Sequence, residues 1–309
     1  MTFTISAPPH KKENITFKKI MWAKVLALMP VVLLSVYLFG LPAIGLVAAS
    51  IFAAIATEAA IQKAFGQKIT IADGHAVLIG LMVAMIIPPE VPLWIPMIGT
   101  VFAVGIGKHA FGGIGSYVFN PVLAAWLFLS LAWGSIMAPA SYPQTSALFE
   151  LVLENGAGVM AGVSPLFILL AGAVLIFRRY IEWRIPVAFF VTTVLLAFLL
   201  GDSLSYVVLG VVVFGVLFIA TDTSTSPTTK NGRVIYGIVC GVLVVVYGHF
   251  ANYVDGTFYG LFLANCVASL IDNNTLPASY GTETFLQRKY RSIVSKVPFK
   301  DRLEVFLDD

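Results

Sequence analysis

Charge is scarce in this chain. Only 11% of its residues are Asp, Glu, Lys or Arg, against about 25% in an ordinary soluble domain. That scarcity, with 59% hydrophobic residues and a mean hydropathy of +0.91, excludes a soluble enzyme that merely touches a bilayer. Cysteine is nearly absent as well. Cys240 and Cys266 are the only two, they sit in separate apolar stretches, and no CxxC spacing occurs. The chain therefore offers no ligand set of its own for an iron–sulfur cluster. Walker A, HExxH and nucleophile-elbow patterns are missing, and no GxGxxG follows a strand, so no dinucleotide fold is expected. The net charge of +3 is small and is read as topology and lipid-headgroup contact. No nucleic-acid partner follows from it.

What the chain has is apolar runs. They predict an all-α polytopic membrane protein of about ten spans, which use nearly the whole length. The expected spans are roughly 20–40, 42–62, 73–88, 92–107, 118–138, 160–177, 185–200, 205–221, 233–249 and 256–272. Residues 1–19 read as a cytoplasmic N-terminal segment, 20–272 as the membrane domain and 273–309 as a basic cytoplasmic tail. The first span follows MTFTISAPPHKKENITFKKI with no small-residue cleavage site, so it reads as uncleaved. With both termini inside, the alternate gaps hold all the basic residues: Lys63, Lys68, Lys108, Arg178, Arg179, Arg184, Lys230 and Arg233, besides those of the two tails. Lys24 falls at the inner end of the first span. The other gaps hold only Glu90, Glu150, Glu154, Asp202 and Asp255. Basic residues resist translocation, so this asymmetry sets the orientation.

A weak internal repeat is present. IGTVFAVGIGKHAFGGIGSYVFNPVLAAWL (98–127) and IVCGVLVVVYGHFANYVDGTFYGLFLANCV (238–267) share a Gly-dotted helix, a spaced Gly pair and an aromatic-led helix. Gly107 matches Gly248, and Gly115 matches Gly256. The first copy's Gly loop falls inside and the second's outside. That opposition predicts two inverted repeats of about five helices, 20–138 and 160–272.

Two polar breaks at membrane depth attract attention, because such backbone is tolerated only in protein or against a cavity. One is MIIPPEVP (85–92). The other is ATDTSTSPTTKNGR (220–233), where Asp222 follows an apolar run and Thr221, Thr228 and Thr229 supply hydroxyls. Oxygens there suit a hard cation, a ribityl chain or a phosphate; the plainer reading is a solvated loop with a helix cap. Ionisable groups near span ends are Glu58, Lys108, His109, Asp73, Asp255 and Asp272. Glu58 lies about one turn before Lys63 and is expected either to snorkel or to pair with it, and Asp73 reads as an N-cap. FGGIGSYVFNP (111–121) offers a turn of Gly112, Gly113 and Gly115 before Asn120, where backbone N–H groups can approach a ring or an anion.

At this point the residues resemble a known family. DGHAVLIGLMVAMIIPPEVPLW, GKHAFGGIGSYVFNPVLAAW, RRYIEWRIPVA, ATDTSTSPTTKNGRVIYG and LANCVASLIDNNTLPASYG look like the D-type membrane component of Rnf-type electron-transport complexes. The B-type component of Na+-translocating NADH:quinone reductase is a more distant likeness. The resemblance runs from Phe3 to about residue 281. It implies a ten-helix, inverted-repeat subunit of a complex that couples electron flow, from ferredoxin to NAD or a membrane carrier, to Na+ or H+ pumping. The alternatives are a standalone channel or carrier for a small polar solute, since urea and ammonium channels share the helix arrangement, and a flavin-free scaffold subunit.

The resemblance further implies partner subunits of the A, B, C, E and G types, iron–sulfur and flavin subunits among them, and a multi-pass location in a prokaryotic cell (inner) membrane. It implies a flavin, FMN or riboflavin. The family's covalent acceptor Thr lies in an outside box such as S-G-A-T or S-A-T-P-L. This chain has QTSAL instead, leaving Ser146 or Thr145 as the candidate acceptor, so a non-covalent flavin is expected. The residues expected near it are Gly112, Gly113, Gly115, Asn120, Thr221, Thr228 and Thr229. The ion pathway is expected to use Asp222, Lys108, His109, Glu58 and Asp255. No resident metal is expected.

Overall fold

Helix length in this chain is set by where proline, glycine and polar runs interrupt the apolar sequence. A computed structural model describes residues 15–138 and 158–276. Among the described residues there are ten α-helices and no strand. In chain order they are α1 (Phe17–Phe39), α2 (Leu41–Ala64), α3 (His75–Met85), α4 (Trp94–Phe102), α5 (Pro121–Met137), α6 (Pro165–Phe177), α7 (Arg184–Leu200), α8 (Gly210–Phe214), α9 (Lys230–Phe250) and α10 (Tyr253–Thr275). Four of them, α1, α2, α9 and α10, are long and apolar enough to cross a membrane. The outside loop with Glu150 and Glu154, the candidate acceptors Thr145 and Ser146, and both terminal tails lie outside the described residues.

Local chemistry explains the boundaries. Thr16 caps α1 by accepting from the Lys19 N–H, and Gly40 turns the chain into α2 with a φ of 68°, where a β-carbon would be strained. Asn120 caps α5 through the Val122 N–H, with Pro121 at the first helical position. Thr229 caps α9 through the Gly232 N–H. Asp73 accepts from the His75 N–H, but the N-cap place of α3 belongs to Gly74, one residue beyond the expected position.

Several helices are shorter than the expected spans, and α3 and α8 end at the two polar breaks. α3 has 11 residues, about 16 Å of rise, roughly half of a ~30 Å hydrocarbon layer. It stops ahead of Pro88 and Pro89, which lack the N–H groups a helix would need. Ile86 and Ile87 are fully buried in the break, while Glu90 is exposed. α8 runs into a π-turn, Gly215–Ala220, and ends at the Thr221–Asp222 break. All its residues from Gly210 to Ala220 are buried. α4 likewise continues as a π-turn, Ala103–Lys108. Such turns mark places where the regular ladder is given up.

The short helices α3 and α8 are buried almost throughout and lie among the others. In the first half α1 packs on α3, α2 on α4, and α4 on α5; in the second α6 packs on α8, α7 on α9, and α9 on α10. The halves meet where α1 touches α6 and α5 touches α10. Close approach is glycine's work at two of these contacts. A β-carbon on Gly80 of α3 would lie 2.8 Å from the Ser50 carbonyl oxygen of α2, and one on Gly256 of α10 would lie 2.6 Å from the Gly248 nitrogen of α9. The two aligned copies differ locally: Gly112, Gly113 and Gly115 form a loop with positive φ, whereas their counterpart 253–257 is already helix α10.

Candidate functional site

Charged side chains inside an apolar bundle are costly, and the ones here gather in two clusters. The first joins α2 to the π-turn after α4. Glu58 is wholly buried and accepts two hydrogen bonds from Lys108 Nζ, at 2.6 Å and 2.7 Å. Gln62, one turn on in α2, donates to Glu58 Oε1 at 3.0 Å and to Thr70 Oγ1 at 2.8 Å, and its own carbonyl accepts from the Thr70 N–H. His109 Nε2 stands 3.9 Å from Glu58 Oε2. The local expectation for Glu58 needs correction: its partner is Lys108, not Lys63. A residue five positions away lies off the Glu58 face of the helix.

This cluster floors a cleft of about 290 Å³ lined by Glu58, Gln62, Lys68, Lys108, Gly112 and Gly113, among others. Gly112 and Gly113 have φ values of 102° and 92°, and their N–H groups close the turn on the carbonyls of His109 and Lys108.

The second cluster sits where α3 begins and α8 ends. Asp222 is 9% exposed. Tyr117 donates to its Oδ2 at 3.0 Å, and Thr225 Oγ1 approaches the same oxygen at 3.5 Å. His75 Nε2 lies 3.4 Å from the Tyr117 hydroxyl. Lys24, 1% exposed, is within electrostatic reach of Asp222. These side chains line a second cavity of about 20 Å³ together with Asn120 and Phe218, which is room for about one water.

The predicted site residues separate accordingly. Lys108, His109, Glu58, Gly112 and Gly113 share the cleft; Asp222 and Asn120 share the small cavity. Gly115 stays in the Gly loop but lines neither. Asn120 is committed to protein: its Oδ1 caps α5, its Nδ2 reaches the Ile219 carbonyl at 3.5 Å, and its N–H donates to Asn265 Oδ1 at 3.0 Å. Thr221 donates back to the Leu217 carbonyl at 2.6 Å, which closes the π-turn. Thr228 donates from both N–H and hydroxyl to Asp272, and Thr229 pairs with Thr275. Asp255 lies in the first turn of α10, bonded to Asn252, and is not part of either cluster. A flavin-sized ligand needs a pocket of roughly 300–1,000 Å³. The cleft at Gly112 and Gly113 approaches that size, with Lys68 and Lys108 suited to a phosphate or a polar ring edge; the cavity at Asn120 does not.

Sequence reasoning missed Lys24, His75 and Tyr117 as site residues. Lys24 reads as an inner-end anchor of the first span, yet it is buried, beside His75 of α3 and Asp222 in the small cavity. For Tyr117 no local signal exists, since its partners are 42 and 105 residues away.

Against known proteins, the chain matches the model of the NQR2, RnfD, RnfE family over residues 4–281. The chain belongs to this family. Its similarity to curated members spans nearly their full length. It is 54% identical to the D-type component of the ion-translocating oxidoreductase complex of Methanosarcina acetivorans, over 91% of this chain and 98% of the relative. It is 34% identical to the D-type component of the Na(+)-translocating ferredoxin:NAD(+) oxidoreductase complex of Acetobacterium woodii, over 91% and 96%. The proton-translocating counterpart of Clostridium ljungdahlii is 32% identical, again over 91% and 96%. These last two members name different ions at nearly equal identity, so overall likeness does not decide the ion.

Proposed function

We propose that this chain works as the D-type membrane component of an Rnf-type complex, coupling electron transfer from ferredoxin to NAD or a membrane carrier with Na+ or H+ translocation. It is a subunit of a translocase and acts with partners. The observation that carries this reading is the 54% identity to a component of this type across nearly both full chains. Charged groups buried inside the helix bundle, Lys24 and Asp222 among them, agree with it, because an ionisable residue at membrane depth is costly and marks a functional site by default.

Several finer points belong to the same proposal. The bundle is read as about ten membrane segments in two inverted halves; the recurring neighbours, α1 on α3 and α6 on α8, α2 on α4 and α7 on α9, support it. Both termini are assigned to the cytoplasm of a prokaryotic cell (inner) membrane, which the one-sided basic residues favour. The ion route is assigned to Asp222, with Lys108, His109 and Glu58 beside the cleft and Asp255 at the far end of α10. A flavin, FMN or riboflavin, held without a covalent bond, is assigned to the Gly112–Gly113 cleft and not to Asn120, Thr221, Thr228 or Thr229, whose groups are spent on protein. Bound there, a flavin supplies one- and two-electron transfer; the chain's own groups position it and exclude water. Partners of the A, B, C, E and G types, with iron–sulfur and flavin subunits among them, complete the machine, and lipid covers the outer helices.

Affinity purification of the tagged chain from its native membrane tests the reading. Copurifying iron–sulfur and flavin subunits, and loss of ferredoxin-driven ion uptake by vesicles when the chain is deleted, are the expected results. A chain purified alone that conducts a small solute in liposomes would return it to the channel class. Reporter fusions at Asp255 and Lys230 should read outside and inside, respectively.

A further inference from the structure

The second cluster has a direction built into it. Tyr117 carries one hydroxyl proton, and that proton is directed at Asp222 Oδ2, 3.0 Å away. The 3.4 Å contact between Tyr117 and His75 Nε2 is then a hydrogen bond only with the imidazole as donor. The neutral ring therefore carries its proton on Nε2, and Nδ1 presents a lone pair. Nδ1 is buried and has no partner among the described residues, an orphan acceptor that needs an explanation. An acceptor stands at one end, a carboxylate at the other, and every proton between them points the same way. The adjoining cavity of about 20 Å³ is lined by His75, Tyr117, Lys24 and Asp222 and has room for about one water.

We propose that His75, Tyr117 and Asp222 form a proton relay that loads and unloads the Asp222 carboxylate, with Lys24 beside it in the same cavity. The proposal rests on the reading of the chain as a translocating subunit. Loading begins when a hydronium ion gives its proton to His75 Nδ1 and is left as water. The Nε2–H bond breaks and its proton joins the Tyr117 oxygen. The original Tyr117 O–H bond breaks and its proton joins Asp222 Oδ2. One proton enters, one carboxyl proton is made, and no electron moves. The ring is left as the Nδ1–H tautomer, and unloading runs the same steps backwards.

The relay gives Asp222 two states with different tastes. Ionised, it offers a carboxylate beside the Thr225 hydroxyl, and such oxygens suit a hard cation. Protonated, it offers none. A relay from within the protein thus makes cation loading at Asp222 compete with H+. The charged groups that act on His75 are Lys24 from α1 and Lys108 and His109 from the end of α4, with Asp73 bonded to its N–H. Lys24 is a positioning residue here, because it acts on the proton through the carboxylate.

The test uses the whole complex in liposomes, driven by reduced ferredoxin, with uptake of 22Na+ and of H+ measured across pH in H2O and D2O. Tyr117→Phe keeps the ring and its packing but removes the only hydroxyl in the wire. Uptake is expected to fall on the order of tenfold, with the solvent isotope effect of the wild type lost. His75→Gln, which bonds without relaying, should do the same and flatten the pH profile. Wild-type uptake, pH profile and isotope effect in both variants, with uptake lost in Asp222→Asn, would overturn the relay and leave Asp222 in the ion path. Wild-type uptake in Asp222→Asn as well would overturn the assignment of the ion path itself. Should Tyr117→Phe fail to assemble, His75→Gln and the wild-type isotope effect still decide, and an isotope effect of unity overturns the proposal.

Discussion

Two lysines in this bundle face two carboxylates, and the pairs are built in opposite ways. Lys108 grips both oxygens of Glu58 within 2.7 Å, and Gln62 adds a further donor. Lys24 reaches Asp222 as a field, while Tyr117 and Thr225 share a single carboxylate oxygen. The first arrangement is a strut. Its charges are cancelled at close range, where the attraction in a poorly screened interior is large, and two of the three ammonium donors are committed to the carboxylate. The second is poised. Its carboxylate keeps capacity in reserve, and its partners can be exchanged. A group that must bind and release an ion on each cycle needs the second design, because a strut would hold its partner too well. On the proposed ion route the geometry suits Glu58 to positional stability and Asp222 to exchange, although both clusters contain an acid, a lysine and a histidine.

The largest effect should come from breaking the strut on one side. Lys108→Ala leaves Glu58 as an unpaired charge with no exposure to water, at a cost of about 3–5 kcal/mol. The subunit should then be lost from the complex, seen as a missing band after size exclusion. Replacing both partners, Glu58→Leu with Lys108→Met, removes the orphan and should restore assembly. A double variant as unstable as the single one would show that the pair contributes specific geometry beyond cancelling charge.

The poised pair should respond in the other order. Lys24→Met keeps the length and packing of the side chain and removes its charge, so assembly should be near normal. Cation uptake per electron should drop several-fold, on the order of 1 kcal/mol of lost attraction. Asp222→Asn should likewise assemble and lose coupling. Comparable destabilisation of the complex by Lys24→Met and Lys108→Ala would erase the distinction between strut and poised pair.

How much of this was legible in the sequence follows from the range of each interaction. Both breaks at 86–91 and 221–229 were legible, because proline and a threonine run act on their own backbone. So was the turn at Asp73, where the bond is a contact over two residues. The pairing of Glu58 with Lys108 spans 50 residues, and Asn120 with Asn265 spans 145. Such partners are chosen by packing, and only the folded bundle supplies it. The π-turns after α4 and α8 also went unread: Gly105, Gly107 and Gly215 permit them, but a glycine in an apolar run fits a helix crossing equally well. Hydroxyls misled for the opposite reason. Thr221, Thr228 and Thr229 look available in a string of letters, and each is engaged by a neighbour in space.

The smallest effect sharpens the comparison from outside it. Asp272, near the C-terminal end of α10, is a third acid tied to the same broken segment, since it accepts from the Thr228 N–H at 2.9 Å and from its hydroxyl at 3.2 Å. This bond is exposed and needs no charge. A carboxylate in the last turn of a helix also opposes the helix dipole, by about 0.3–1 kcal/mol. Asp272→Asn keeps an acceptor for Thr228, weakens the bond and relieves that opposition, so the two changes nearly offset. Net stability should move by less than about 1 kcal/mol, a shift of a few degrees at most in the melting temperature, and cation uptake should stay at the wild-type level. A fall in uptake like that of Asp222→Asn, without loss of assembly, would change the picture. It would mean that this clamp on Thr228 sets where the 221–229 segment lies, and that the reserve at Asp222 depends on a contact at the bundle's edge.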